Sequence, residues 1–122
     1  MSQHKQELEK KGEDLAAAHL KTKGYKILKR NYRSGRAELD IIAEKDKWII
    51  VVEVKTRETD GYGNPEKSVG TGKMKMLAQG IESYMLEKDL EAQVRYDIIS
   101  IILNSYKKEI THLEDAFWPG MY

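Results

Sequence analysis

The sequence predicts an α/β protein in which a helix, three strands, a second helix and one or two further strands follow one another. Apolar residues recur at helical spacing near the N-terminus and again after residue 73. Between and beyond these helices, short runs rich in Ile and Val have the composition of buried strands. The 122 residues suffice for one hydrophobic core, so we expect a single domain over residues 1–122.

Composition excludes several classes of function. The chain has no cysteine, which excludes a disulfide framework, a thiolate metal site and a thiol nucleophile. Its first residues are too polar for a signal peptide, and no apolar run approaches the roughly 20 residues of a membrane helix. We therefore expect a soluble, cytoplasmic protein without a membrane partner.

Charge is distributed unevenly along the chain, although the formal net charge is only +1. No acid occurs from Leu15 to Ala37, and this run contains Lys21, Lys23, Lys26, Lys29, Arg30, Arg33 and Arg36. Such a run would attract phosphate at long range. It is equally typical of a solvated helix end and an edge strand that lysines protect from aggregation. Both interpretations remain open at this stage.

The first helix is predicted from about Lys5 to Lys23 and ends at Gly24, a residue typical of the position after a helix. Glu13 lies on the apolar stripe of this helix, at helical spacing from Ala16, Ala17 and Leu20. An acid on that stripe either faces the sheet or reaches water at the edge of the stripe. In the first case it would reach the charged strands described next.

A first strand is predicted from Tyr25 to Arg33, followed by a turn at Ser34 and Gly35. The next two strands, Glu38–Ala43 and Trp48–Arg57, are joined by a polar turn at residues 44–47. These two strands carry the charged residues that matter most for function.

Strand alternation places charged side chains on shared faces of this pair. Glu38, Asp40 and Ile42 should share one face of the earlier strand, and Glu53, Lys55 and Arg57 one face of the later strand. Buried charges of this kind are costly unless they pair with each other or bind a metal ion. Carboxylates without His or Cys favour Mg²⁺ or Mn²⁺ over Zn²⁺. The alternative is a set of structural salt bridges among the same residues.

The remaining segments follow in order. Glu58–Gly72 holds four of the nine glycines and is predicted to be a mobile loop that closes over a ligand. A second helix is predicted for Lys73–Lys88, with Lys73 in its first turn, where a cation would suit a bound phosphate. A buried strand is predicted for Val94–Leu103, and Lys108–Leu113 is a candidate short returning strand. His19 and His112 are isolated in the sequence, so we expect surface or satisfied histidines rather than metal ligands.

The order of the charged motifs resembles the PD-(D/E)XK restriction-endonuclease-like superfamily, and within it the YraN family of small bacterial proteins. The resemblance covers nearly the whole chain, and Ala37 is a departure where the family usually has Gly. The residues that carry it are Gly12-Glu13, Leu20, Gly24-Tyr25, Arg30-Asn31-Tyr32-Arg33, Glu38-Leu39-Asp40-Ile41-Ile42-Ala43 and Val51-Val52-Glu53-Val54-Lys55-Thr56-Arg57, followed by Gly63, Lys73 and Arg95-Tyr96-Asp97.

The resemblance implies a restriction-endonuclease-like fold, with a central mixed β-sheet flanked by helices. It also implies that Asp40, Glu53 and the carbonyl of Val54 bind Mg²⁺, for which Mn²⁺ would substitute, and that Lys55 is the motif lysine. Glu13 matches the additional helix acid of archaeal Holliday-junction resolvases, which act as dimers on branched DNA. A homodimer is therefore a further expectation.

Two functions are consistent with these residues. The leading hypothesis is a Mg²⁺-dependent endonuclease acting on DNA, with branched or damaged DNA as candidate substrates. Its predicted catalytic residues are Glu13, Asp40, Glu53 and Lys55, and its predicted nucleic-acid-binding residues are Arg30, Arg33, Arg36, Arg57 and Lys73. The alternative is a non-catalytic nucleic-acid-binding or scaffold protein that keeps the nuclease fold.

Overall fold

The computed structural model describes residues 2–59 and 69–119, which form two helices and five strands. The predicted order of elements is confirmed, and the returning strand is present. The elements are α1 (Gln3–Thr22), β1 (Lys26–Ser34), β2 (Ala37–Lys45), β3 (Trp48–Arg57), α2 (Thr71–Glu87), β4 (Gln93–Leu103) and β5 (Lys108–Phe117).

The described strands form one mixed sheet in the order β1-β2-β3-β4-β5. The pairs β1–β2, β2–β3 and β4–β5 are antiparallel, whereas β3 and β4 run parallel. Parallel neighbours need a crossover connection, and α2 lies in the connection between β3 and β4. The α/β class and the mixed sheet flanked by helices are therefore as predicted.

The two helices cover opposite faces of the sheet. Ile50 and Val52 of β3 pack in a cluster with Ala16, Ala17 and Leu20 of α1. The alternate residues of β3, Ile49 and Val51, pack with Leu77, Ile81 and Tyr84 of α2. Because successive strand residues point to opposite faces, α1 and α2 lie on the two sides of the sheet.

Helix α1 approaches β3 very closely at Gly12. A methyl group added to Gly12 would lie 1.8 Å from the Oγ1 atom of Thr56. Only glycine allows this contact, which brings the next residue, Glu13, to the end of β3. The helix then ends as predicted, since Gly24 has φ +89°, a conformation that favours glycine.

Strand β5 is longer than the expected Lys108–Leu113, because an irregularity lets it continue to Phe117. Its register with β4 shifts between the pairs Leu113–Ile98 and Phe117–Tyr96. Within this stretch Asp115 has φ 55°, and its main-chain N–H donates a hydrogen bond of 2.9 Å to Asp97. The acidic residues interrupt the apolar alternation, which is why the sequence pattern stops earlier.

Helix α2 begins at Thr71, two residues earlier than predicted, after Gly70 in an extended conformation. The expected mobile loop at Glu58–Gly72 falls largely on residues 60–68, which lie outside the described residues. Neither of the described helices has the length and apolar character needed to cross a membrane.

Candidate metal centre

The regular alternation of side chains between the two faces of the sheet is interrupted in strand β2 at Asp40. Leu39 packs on the α2 side of the sheet, whereas Ile41 packs on the α1 side. Residues two apart on a regular strand would share a face, so the alternation is broken between them. On the neighbouring strand, Asn31 lies between the partners of Leu39 and Ile41 and has φ 52°. The prediction of one shared face for Glu38, Asp40 and Ile42 assumed regular alternation and is wrong.

This break opens a gap between β2 and β3, into which the Asp40 side chain reaches. The registered pairs of β2 and β3 begin at Ile41–Val52, so Asp40 lies just beyond them. The main-chain N–H of Val54 donates a hydrogen bond of 2.9 Å to Asp40 Oδ2 instead of bonding to a strand partner. The Asp40 carboxyl group is thereby held beside Glu53.

Asp40 and Glu53 form a crowded pair of acids. Glu53 is only 4% exposed, and Asp40 is partly buried. Burial raises the pKa of Asp40 to about 8, and both a hydrogen bond with the Glu53 carboxyl group and its charge add to the effect. Two carboxyl groups in hydrogen-bond contact do not readily ionise together unless a proton or a cation lies between them.

Two lysines supply positive charge to this pair. Lys73 Nζ lies 3.1 Å from Glu53 Oε2, yet this buried oxygen accepts no hydrogen bond of good geometry from the described residues. Burial would lower the pKa of Lys73, but the charge of Glu53 outweighs it and raises the pKa. Burial lowers the pKa of Lys55, and the charge of Lys73 lowers it further, against the opposing charge of Glu53. The pKa values of the two lysines are therefore shifted in opposite directions within the same site.

Glu13 lies at the same site, so it faces the sheet rather than reaching water at the edge of the apolar stripe. Its side chain is 16% exposed, and burial followed by the charge of Asp40 raises its pKa. Arg30 Nη2 lies 3.4 Å from Glu13 Oε1. Glu13 thus faces the acid pair rather than open water.

Two hollows meet at the acid pair, and both are lined by Asp40, Glu53 and Lys73. The hollow on the α1 side has a volume of about 210 Å³ and is also lined by Glu13, Val54, Lys55 and Arg57. The hollow on the α2 side has a volume of about 440 Å³ and is also lined by Arg36, Glu38, Met76 and Leu77. All four predicted catalytic residues therefore converge on one place.

The predicted nucleic-acid-binding cations do not all lie there. Arg30 turns toward α1, where its guanidinium contacts Asp14 at 2.8 Å in addition to Glu13. Arg33 contacts the exposed Glu38 at 3.5 Å, and Arg36 reaches the hollow on the α2 side. The basic run of the sequence is therefore divided between the two faces of the sheet.

Sequence reasoning missed Glu9 and Thr56, which line the hollow on the α1 side. Glu9 precedes Glu13 by one helical turn, and this spacing was the available signal, since residues four apart share a helix face. Thr56 has no comparable signal, because its place follows from the close contact with Gly12.

The residues present fit a hard divalent cation. Among the described residues there is no cluster of three or more His, Asp or Glu side chains arranged to hold a metal. The donors are two carboxylates and the adjoining main chain of Val54, and Glu53 Oε2 accepts no well-aligned hydrogen bond from the described residues, with the Lys73 ammonium 3.1 Å away. Mg²⁺ commonly binds through one or two carboxylates and keeps several waters, so this oxygen set suits it.

A second polar cluster lies away from these hollows and contains His112, which sequence analysis treated as isolated. His112 Nε2 contacts Asp97 Oδ2 at 2.8 Å, and the ring packs 5.5 Å from that of His19. Arg95 donates two hydrogen bonds of 2.8 Å to the same carboxylate, and it also bonds to the hydroxyl group of Tyr25. His112 is therefore a satisfied histidine, as expected, but it is not isolated.

Comparison with known proteins gives a consistent family assignment. The model of the uncharacterised protein family UPF0102 matches residues 12–101. A UPF0102 protein of Christiangramia forsetii is 44% identical over 118 residues, covering 97% of this chain and 98% of its own. A UPF0102 protein of Phocaeicola vulgatus is 39% identical over 122 residues and is matched over 100% of both chains.

Among solved structures, this chain is similar to Pyrococcus furiosus SfsA in complex with Ca²⁺, with a TM-score of 0.34 and 19% identity. That alignment covers 87% of this chain and 60% of the other, and a likeness so distant supports no argument about function. The sequence matches alone are decisive: the chain belongs to family UPF0102, which is the YraN family that its motifs resemble.

Proposed function

We propose that this protein is a Mg²⁺-dependent endonuclease that hydrolyses phosphodiester bonds in DNA, with branched or damaged DNA as its substrates. The observation that carries the proposal is the acid pair of Asp40 and Glu53 at the junction of two hollows, with a buried oxygen of Glu53 that accepts no hydrogen bond from the described residues. Perturbed acids in a cleft are typical of functional sites.

Asp40, Glu53 and the Val54 carbonyl would hold the metal ion. When bound, Mg²⁺ supplies a Lewis acid for the phosphate and lowers the pKa of a bound water. The gap between β2 and β3 presets the positions of both carboxylates, because the Val54 N–H holds Asp40 in place. Little rearrangement of the chain is then needed for the two acids to bind one ion.

Lys55 is the candidate for orienting the attacking water and accepting its proton. Burial lowers its pKa, which brings the neutral amine closer to the working pH. An amine tuned in this way is an effective general base. Glu13 would support the site from α1 by binding a water or Lys55, since it lines the same hollow.

The alternative function, a nucleic-acid-binding or scaffold protein without catalysis, has one observation in its favour. The two charges of the acid pair are matched by those of Lys55 and Lys73, which line the same hollow. A site neutralised by its own lysines is able to persist without a metal ion.

The test compares cleavage of labelled single-stranded, duplex, flapped and four-way-junction DNA by the wild type and by Glu53→Gln, in Mg²⁺ or Mn²⁺. The proposal expects cleavage by the wild type and none above background by the variant. DNA binding without cleavage by either protein would favour the alternative. Equal cleavage by both proteins would point to a contaminating nuclease and would contradict the proposed site.

A further inference from the structure

The two hollows at the acid pair have the same formal charge, and each contains cations as well as acids. The hollow on the α1 side adds the acids Glu9 and Glu13 and the cations Lys55 and Arg57 to the acid pair and Lys73. The hollow on the α2 side adds the exposed pair of opposite charges Arg36 and Glu38, together with the apolar side chains of Met76 and Leu77. The charge at the acid pair therefore does not decide in which direction a polyanion extends from it, and the cations beyond the two hollows do.

A third hollow lies farther along the same side of the sheet, between β1 and the C-terminal end of α2. It has a volume of about 310 Å³, and three of its lining residues are the exposed cations Lys29, Arg33 and Lys88. Among the described residues that line it, the single acid is Glu87, which accepts a hydrogen bond of 3.0 Å from the hydroxyl group of Tyr32. The hollow therefore has a net positive charge.

These cations are available to a ligand. Lys29 and Lys88 have no ion-pair partner among residues 2–59 and 69–119, and Arg33 has only the half-exposed Glu38 at 3.5 Å. Arg30, by contrast, is engaged by Glu13 and Asp14 on the other face. An exposed ion pair such as Arg33–Glu38 contributes little and exchanges readily for a phosphate contact.

The third hollow neighbours the one beside the acid pair, and the Arg33–Glu38 contact lies between them. Arg33 lines the third hollow, and its partner Glu38 lines the hollow on the α2 side. Both hollows follow helix α2, one at Lys73 and the other at Tyr84. Eleven residues of helix span about 16 Å, which equals roughly five nucleotide steps of 3.4 Å.

We propose that the nucleic-acid strand leading away from the acid pair runs along this flank of α2, with its phosphates bound by Lys29, Arg33 and Lys88. This inference rests on the proposed function and defines its substrate path. It makes β1 and the end of α2 the docking surface for the phosphodiester backbone.

The experiment measures DNA binding by fluorescence anisotropy in EDTA, so that cleavage plays no part. The double variant Lys29→Ala/Lys88→Ala is compared with Lys5→Ala/Lys108→Ala, which removes the same charge from the start of α1 and from the opposite edge strand. Salt is varied from roughly 50 to 200 mM, because the slope of log affinity against log salt counts the phosphates neutralised.

We expect Lys29→Ala/Lys88→Ala to bind DNA more weakly than the wild type. The slope of its log affinity against log salt should be less steep by about 1.8 on duplex DNA or about 1.4 on single-stranded DNA, whereas Lys5→Ala/Lys108→Ala should keep the slope of the wild type. Glu87→Gln, which keeps a hydrogen-bond acceptor for Tyr32, should bind DNA more tightly. This inference alone would be overturned if the two double variants had equal slopes while the wild type bound and cleaved DNA normally. Absence of DNA binding by the wild type would overturn the proposed function as well.

Discussion

Two carboxylate sites lie in this sheet, one around Asp97 and one around Asp40 and Glu53, and their surroundings are opposite. Asp97 is completely buried and is contacted by Arg95, by His112 and by the main-chain N–H of Asp115. Burial would raise its pKa, but these hydrogen bonds outweigh burial and lower it. At Asp40 the pKa is instead raised to about 8, first by burial and then by Glu53.

The difference distinguishes a carboxylate whose charge the fold stabilises from one whose charge it does not. A buried carboxylate with a full set of donors stabilises the charged form and the fold around it. Asp40 accepts one main-chain hydrogen bond and faces a second acid, so its ionised form is poorly stabilised by the protein alone. The Mg²⁺ ion that we propose would supply the missing positive charge at this site.

The largest effect on stability should come from Asp97→Asn. This change removes a buried negative charge and leaves the guanidinium of Arg95 with the exposed Glu114, 3.7 Å away, in place of its 2.8 Å contact with Asp97. Breaking a buried pair in this way costs about 3–5 kcal/mol of unfolding free energy. Urea unfolding followed by circular dichroism measures the loss. A decrease below about 1 kcal/mol would show that the Asp97 cluster is not a structural site.

Acid should destabilise the protein through Asp97. Its pKa is lower in the folded than in the unfolded chain, so its stabilising contribution is complete above the unfolded value of about 3.9 and is lost as the pH falls toward the folded value. Unfolding free energies at pH 3 to pH 7 should therefore fall more steeply below about pH 4 for the wild type than for Asp97→Asn. Parallel curves would contradict this contribution.

An effect of opposite sign is expected for Asp40→Asn in EDTA. Because the pKa of Asp40 is raised to about 8 in the folded chain, the folded state binds a proton that the unfolded state has lost. This contribution to stability therefore falls as the pH rises from about 4 toward about 8. Asp40→Asn removes the decline, so it should be close to neutral at pH 5 and should stabilise the metal-free protein at pH 8. Destabilisation at both pH values would make Asp40 a structural acid like Asp97.

Much of the fold and of the acid pair could be predicted from the sequence. The regular alternation of β3 correctly separates Glu53 and Lys55 from Val52 and Val54, and helical spacing brings Glu13 to the sheet. These patterns depend on neighbours within one element, which the sequence displays directly.

The rest depends on contacts between distant segments. The change of facing at Asp40 accompanies the left-handed conformation of Asn31 on the adjacent strand, which no local pattern indicates. The partners of Asp97 come from residues 95, 112 and 115 and are joined only when β5 pairs with β4. The positive charge of Arg30 could be predicted from the sequence, but its ion pairs with Glu13 and Asp14 could not.

The most direct test of the central claim is calorimetric titration of Mn²⁺ into the metal-free protein at pH 8. Wild type and Asp40→Asn are compared with Glu114→Gln, which removes an exposed acid near the Asp97 cluster. We expect one Mn²⁺ to bind to the wild type and to Glu114→Gln, and none to Asp40→Asn. Binding of Mn²⁺ to Asp40→Asn with the affinity of the wild type, or no binding to the wild type, would contradict the assignment of Asp40 and Glu53 as a metal centre.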